Sequence, residues 1–376
     1  MRSFPGCDGL VVQACREVEA WRPLEQALLD AGVPLALPHR TAWAQYAPAA
    51  GSWFLVARDA AGRPQGGLAA QLHPSRALPG HFVLRAERFV ADAAPATATA
   101  LLQALAHLAQ QQPRVLRLQV ELFSADDEAR RRTAESARAQ GYQPASEPRS
   151  YDRTLWMDLR PAEDALFAGL HATARRHVRA VEKRPVAVRP VADPALGPRL
   201  DALLAETLAR TGGHFQPRDW AGPIALSARH PALSRLVGLF RTDHDGPDAL
   251  LAFAWGCGHG RYAHYATAAS TRATELKMPL LYALAWDLIL WAKRSGCEHF
   301  DFGGIAPGSH GSGEALGGIS DFKRYFCTHE VTVGEEWALE PSRWKAAAAR
   351  ATRTASGWLR ALPALRSTAS GAAAPG

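Results

Sequence analysis

Several residues have types and spacings that could do chemistry. Arg175, Arg179 and Lys183 recur every four residues, which on a helix makes one basic face opposite Ala174, Val178 and Val181. Arg176, Arg184 and Arg189 lie close by and Glu182 alone opposes them, so this is the densest positive stretch of the chain. Its chemistry would be phosphate contact, although the same spacing also describes an ordinary solvated helix face. Asp301-Phe302-Gly303-Gly304 closes a short apolar segment. The glycines allow close backbone approach, and an Asp beside them organises a turn more readily than it serves as a base. Lys323, flanked by Phe322 and Arg324, reads by itself as half of a solvated basic pair after Asp321. Arg272 either meets a substrate phosphate or caps the turn before a helix. His264, His299 and His310 show no metal-site spacing, and the five cysteines form no C-x-x-C pair. No metal is expected.

Elements must position these residues. Hydrophobic periodicity predicts strands at Ser52–Arg58, Gly67–Leu72 and near Phe82–Leu84, a helix over 97–112, and a buried strand Val115–Leu122. A polar helix over 126–140 follows, with Ser124 as its N-cap and Gly141 closing it. The polar stretch near 145–150 breaks both periodicities and marks a boundary. Beyond it the pattern predicts a strand Arg153–Leu159, short helices to Lys183, a strand Val186–Val191 and a helix Pro198–Arg210. Strands near Leu236–Arg241, Leu250–Gly256 and Tyr262–Thr267 come next, then an apolar helix Pro279–Arg294, a strand His299–Phe302 and a glycine-rich loop Gly303–Gly318. Trp255, Trp286 and Trp291 read as core. Both halves run as a meander, a long helix and a buried strand, which points to a duplicated α/β unit.

The sequence has 376 residues, which at about 150 residues per domain is a prior for two domains. Hydrophobic residues make up 47% and charged residues 21%, a balance that excludes a wholly disordered chain. The net charge of +7 favours polyanionic partners. Reduced cysteines and an N-terminus without a signal-like apolar run predict a cytoplasmic protein, and no apolar run reaches the roughly 18 residues of a membrane span. The division expected is residues 1–148, 149–340, and a basic C-terminal helix with a disordered tail over 341–376. That helix could touch an anionic membrane peripherally, with a weak, alanine-rich apolar face.

The segment from Tyr262 to Leu339 resembles the C-terminal half of the FemABX aminoacyltransferases. The resemblance is carried in order by Arg272, Ala292-Lys293, Asp301-Phe302-Gly303-Gly304 and Phe322-Lys323-Arg324-Tyr325-Phe326. Upstream, the run from Thr154 to Val191 resembles the strand and Arg-rich helix that open that family's second domain, so the likeness covers residues 150–340. It implies two tandem acetyltransferase-like (GNAT) domains with mixed sheets flanked by helices. It also implies transfer of an aminoacyl group from aminoacyl-tRNA to an amine of a nucleotide- or lipid-linked peptidoglycan precursor, without a cofactor. Lys323 would then stabilise the tetrahedral oxyanion and Phe322 shape the site; Arg175, Arg179, Arg218, Arg272, Gly303 and Gly304 would bind substrate.

The chain departs from the family in the first half. An Asp-Pro usually found after a buried strand is replaced by Arg117-Leu118-Gln119-Val120-Glu121, leaving Gln119 or Glu121 nearby, and Trp43 is not followed by the usual lysine. The charged coiled-coil arm of some members is missing as well. Two other readings stand beside the aminoacyltransferase. One is an acyl-CoA-dependent N-acyltransferase of the same fold acting on a polysaccharide or small molecule, disfavoured because Ser270–Lys277 has no glycine to cradle a pyrophosphate. The other is a catalytically idle RNA- or precursor-binding protein.

Overall fold

The computed structural model describes residues 1–46, 49–90, 93–212, 215–305, 317–342 and 344–345. The expected C-terminal helix and tail, and most of the glycine-rich loop, fall outside these. The first half contains strands β1 (Arg2–Pro5), β2 (Val11–Cys15), β3 (Ser52–Arg58), β4 (Pro64–Pro74), β5 (Phe82–Val90), β6 (Val115–Phe123) and β7 (Gln143–Pro144). Its helices are α1 (Val18–Asp30), α2 (Thr41–Tyr46), α3 (Pro95–Gln110) and α4 (Asp127–Ala139). The second half contains β8 (Arg153–Asp158), α5 (Glu163–Gly169), α6 (Ala172–Ala180), β9 (Val186–Pro190), α7 (Gly197–Thr211), α8 (Ala221–Arg229) and β10 (Ser234–Arg241). It continues with β11 (Leu250–Gly258), β12 (Tyr262–Ser270), α9 (Tyr282–Arg294), β13 (His299–Gly304), α10 (Gly317–Arg324), β14 (Glu330–Thr332) and β15 (Gly334–Leu339).

These strands form two mixed sheets, ordered β1-β2-β3-β4-β5-β6-β15-β7 and β14-β8-β13-β12-β11-β10-β9. In each, an antiparallel meander ends in a strand whose parallel neighbour is reached through one helix: β5 to β6 through α3, and β12 to β13 through α9. A parallel pair requires such a crossover. Alternate strand residues of the first sheet pack on α3 and α4 through Leu84, Leu101, Leu105 and Leu118, while α1 covers part of the other face through Trp21 and Leu28. The second sheet is covered by α5, α6 and α9 on one side and by α7 and α8 on the other. Leu37 and Ala42 of the first half belong to that last cluster, so α2 helps fasten the two sheets together.

Two expectations are corrected. Residues 149–340 do not form one unit: β15 returns to the first sheet and pairs along β6, from Gly334 opposite Phe123 to Leu339 opposite Leu118. Without it β6 would present an open edge, and Trp337 brings a further side chain into the first core. At the crossing point Gly334 is required by space, since a Cβ there would lie 2.4 Å from the Tyr151 carbonyl oxygen. The N-cap of α4 is Asp126 rather than Ser124, because the Asp carboxylate accepts from the amides of Glu128 and Ala129. Among the described residues no helix is long and apolar enough to cross a membrane.

Candidate active site

β12 and β13 pair only from Tyr262–His264 to His299–Asp301. Beyond that, a bulge at Ala266 bends β12 and Gly303 takes a left-handed φ of 70°, so the two strands part. A Cβ on Gly303 would stand 3.3 Å from the Tyr265 carbonyl oxygen, which together with that φ explains the glycine. Into the gap α10 delivers Lys323, whose Nζ donates to the carbonyls of Gly304 at 2.5 Å and Gly303 at 3.3 Å. Two of the three ammonium hydrogens are thereby placed, and no other acceptor for the third occurs among the described residues. The residue is only 7% exposed. Burial pushes its pKa down to about 8, with the Asp301 charge acting in the opposite direction.

Asp301 is fully buried and saturated: Thr154 and Tyr151 hydroxyls lie at 2.5 Å from its two oxygens, and the Gly303 amide donates to Oδ1 at 2.8 Å. It shapes the turn that presents the two carbonyls, in keeping with its reading as an organiser. Phe322 stacks edge-on against Tyr282 and Phe326, forming the aromatic wall next to Lys323. α6 borders this wall, with His171 stacked on Tyr325 and His177 tilted against Tyr282.

A cavity of about 350 Å³ lies between the sheets, with Trp43, Glu87, Glu121 and Tyr151 from one side and Trp255 and Arg218 from the other. It falls within the size range of small-molecule sites. Arg218 donates to the Thr267 hydroxyl at 3.3 Å, on the bulged stretch of β12. On the same wall His259 and His264 are 2.6 Å apart; the Leu37 amide donates to His259 Nδ1, so His259 Nε2–H points to His264 Nδ1. Burial holds both imidazoles neutral, His264 with a pKa pushed down to about 3. No cluster of metal ligands occurs among the described residues.

Lys323, Phe322, Gly303 and Gly304 therefore meet at one place, with Arg218 on the adjoining cavity. The other three candidates lie elsewhere. Arg175 is spent on the carbonyls of Ala168 and Leu170 at the end of α5, a structural role that its spacing on α6 did not show. Arg179 lies 4.9 Å over the Phe167 ring with its outer side exposed, and Arg272 is exposed where its amide donates to Glu206. The basic face expected of Arg175, Arg179 and Lys183 is thus reduced to Arg179 and Lys183, and the neighbouring Arg176 is exposed as well. Gln119 and Glu121, noted where the family has Asp-Pro, both line the cavity. Sequence reasoning did not single out Arg88 and Tyr151, which line the cavity, and took Trp255, another lining residue, as core alone. A usable signal for Arg88 existed: in Leu84-Arg85-Ala86-Glu87-Arg88-Phe89 the in–out alternation slips by one residue.

Residues 168–324 match a family model described as Acetyltransferase (GNAT) domain. The crystal structure of FemX superposes with a TM-score of 0.68 at 14% identity, covering 87% of this chain and 97% of that one. The chain is an acetyltransferase-fold protein, FemX-like in architecture. A tandem GNAT protein from the clavulanic acid biosynthesis pathway is similar to this FemX-like chain at TM-score 0.52 and 16% identity, over 88% of this chain and 99% of that one. No curated protein matches the sequence. In this FemX-like fold β12 parts from β13 with Lys323 in the gap.

Proposed function

We propose that this FemX-like protein is an acyltransferase that moves an aminoacyl group from aminoacyl-tRNA to an amine of a peptidoglycan precursor or related peptide. The observation that carries the reading is the Lys323 ammonium, nine-tenths buried at the parted strands and fixed by two carbonyls, with one hydrogen that no described residue takes. The acceptor amine attacks the ester carbonyl, the carbonyl oxygen becomes an oxyanion, and Lys323 donates its third hydrogen to it. A preorganised cation in a water-poor site favours that oxyanion far more than water does. Collapse breaks the ester bond, forms the amide, and leaves the proton from nitrogen on the departing ribose oxygen. Phe322, Tyr282 and Phe326 exclude water from the carbonyl. The interdomain cavity holds the acceptor, with Arg218 toward its anionic part, and the exposed Arg176 and Arg179 flank the donor side, where phosphates would lie. Both the nucleotide-linked and the lipid-linked precursor present such an amine.

The test is transfer of radiolabelled amino acid from a charged total tRNA pool to purified precursors, with wild type and Lys323→Ala side by side and acetyl-CoA as control donor. Lysine-dependent transfer from tRNA supports the reading. Transfer from acetyl-CoA alone replaces it with an acyl-CoA enzyme, and no transfer from either donor leaves a binding protein.

A further inference from the structure

Arg88 sits where β5 must carry one residue too many. Ala86 pairs with Val120 and Phe89 with Leu122, so Glu87 and Arg88 together face Glu121, and Arg88 adopts φ 52°. An arginine in the left-handed region is strained by about 1–2 kcal/mol, and strain of this kind persists only where the surroundings over-determine it. Here they do. The Arg88 amide donates to Glu121 at 2.8 Å, and its carbonyl accepts from His39 Nε2 at 3.2 Å. His39 Nδ1 accepts from the Ala69 amide, which fixes Nε2 as the protonated nitrogen.

The side chain so aimed leaves the first sheet. Its guanidinium lies 4.0 Å over Phe123, donates to the Tyr151 hydroxyl at 2.7 Å and reaches Asp301 of β13 at 3.4 Å. Tyr151 in turn donates to the same Asp301 oxygen. Arg88 and Asp301 are 7% and 0% exposed; Arg88 is the cation that faces the Asp301 carboxylate, and it also lies 3.9 Å from the Glu121 carboxylate of β6. Asp301 then holds the Gly303 amide, and the Gly303 and Gly304 carbonyls hold Lys323.

We infer that Arg88 is a positioning residue for Lys323: the first sheet supplies, across the domain boundary, the cation that keeps Asp301 from becoming the lysine's own ion-pair partner. With Arg88 in place the Asp301 carboxylate is engaged and the ammonium stays directed at the parted strands. Without it, the unpaired carboxylate on β13 draws on the nearest cation, Lys323. On α10 itself Asp321 faces Arg324 at 3.7 Å and makes no ion pair with Lys323. This inference rests on the reading of Lys323 as the working group, but its test needs neither donor nor acceptor.

The experiment measures carbamylation of Lys323 by cyanate against pH, read by peptide mass spectrometry, in wild type, Arg88→Met, Arg88→Lys, Asp301→Asn and Arg88→Met/Asp301→Asn, each checked for folding by urea titration. In Arg88→Met the midpoint of Lys323 labelling rises by a unit or more, lowering the extent at pH 8 by about fivefold. Arg88→Lys restores it in part, and the double variant, lacking the stranded carboxylate, returns toward wild type. An unchanged labelling curve in folded Arg88→Met overturns the inference. If that variant does not fold, Arg88→Lys and the double variant decide: a midpoint raised in Arg88→Lys and returned toward wild type in the double variant supports the inference, and an unchanged midpoint in Arg88→Lys or a raised one in the double variant overturns it. Failure of tRNA transfer with the labelling pattern intact would sink the donor assignment and leave Arg88 as the positioning group.

Discussion

Replacing Lys323 by Met should change how stability depends on pH in a way that can be worked out beforehand. The native ammonium loses its proton near pH 8, whereas an unfolded lysine keeps it to 10.5. Between these values the unfolded chain binds more protons than the native one, so unfolding free energy rises with pH. Below pH 8 the burial penalty is present in full; above 10.5 it is gone. The 2.5 units between the two values correspond to about 3 kcal/mol. Met removes this slope and takes the ammonium from the Gly304 carbonyl and from that of Gly303, which the Thr154 hydroxyl also approaches at 3.0 Å, a pH-independent loss of about 1–3 kcal/mol. Urea unfolding followed by tryptophan fluorescence at half-unit steps from pH 7 to 10.5 should therefore show wild type gaining on the variant by about 3 kcal/mol. Subtracting the variant cancels buried tyrosines and cysteines that titrate in the same window. The transfer rate should fall about 10²–10³-fold in the variant, and in wild type should decline above pH 8 as the ammonium is lost. A difference that stays flat within about 1 kcal/mol across the window would refute the burial argument and with it the view of Lys323 as a desolvated cation.

Gly303→Ala should lose about 1–2 kcal/mol of stability from its positive φ alone, and transfer should weaken with it as the carbonyls holding Lys323 shift; urea midpoints and initial rates check both. Arg218→Gln should raise KM for the acceptor several-fold while kcat holds, because the residue lines the cavity and bonds Thr267 rather than the carbonyls that hold Lys323; a kcat loss instead would move Arg218 to the reacting centre. His39 and His73 have pKa values pushed down to about 4 by burial, so the unfolded chain binds more protons between pH 6.5 and 4 and stability should drop steeply as pH falls through that range. A urea midpoint constant from pH 6.5 to 4.5 would contradict this. Asp126→Ala should cost about 1 kcal/mol through loss of the α4 cap, measurable as a lower melting temperature.

Much of the fold was legible. Strand Ser52–Arg58 begins and ends where alternation and apolar run predict, and β6, α3, α7, β11 and α9 fall within a few residues of their expected places. The N-terminal β1, β2 and α1 were not foreseen; Pro23 inside α1 masks the helical pattern, although Trp21 and Leu28 at seven-residue spacing are both fully buried. The motif around Asp301 and Lys323 was readable because its residues follow one another along a helix–strand–helix path. Arg175 misled, since identical spacing serves a solvated face and a carbonyl clamp equally well.

By itself the sequence determined the period of most elements from Ser52 onward, the duplicated order of meander, helix and strand, and the glycines at the end of β13 with the lysine of α10. These depend on neighbours a few residues away, where steric preference and apolar spacing act directly. Only the tertiary structure decided that β15 closes the first sheet, that Arg88 crosses to Asp301 over 213 positions of chain, and that Lys323 is buried rather than solvated. Each of those is a matter of which group replaces lost water around a charge or an open strand edge, and that replacement comes from whatever the fold brings near in space.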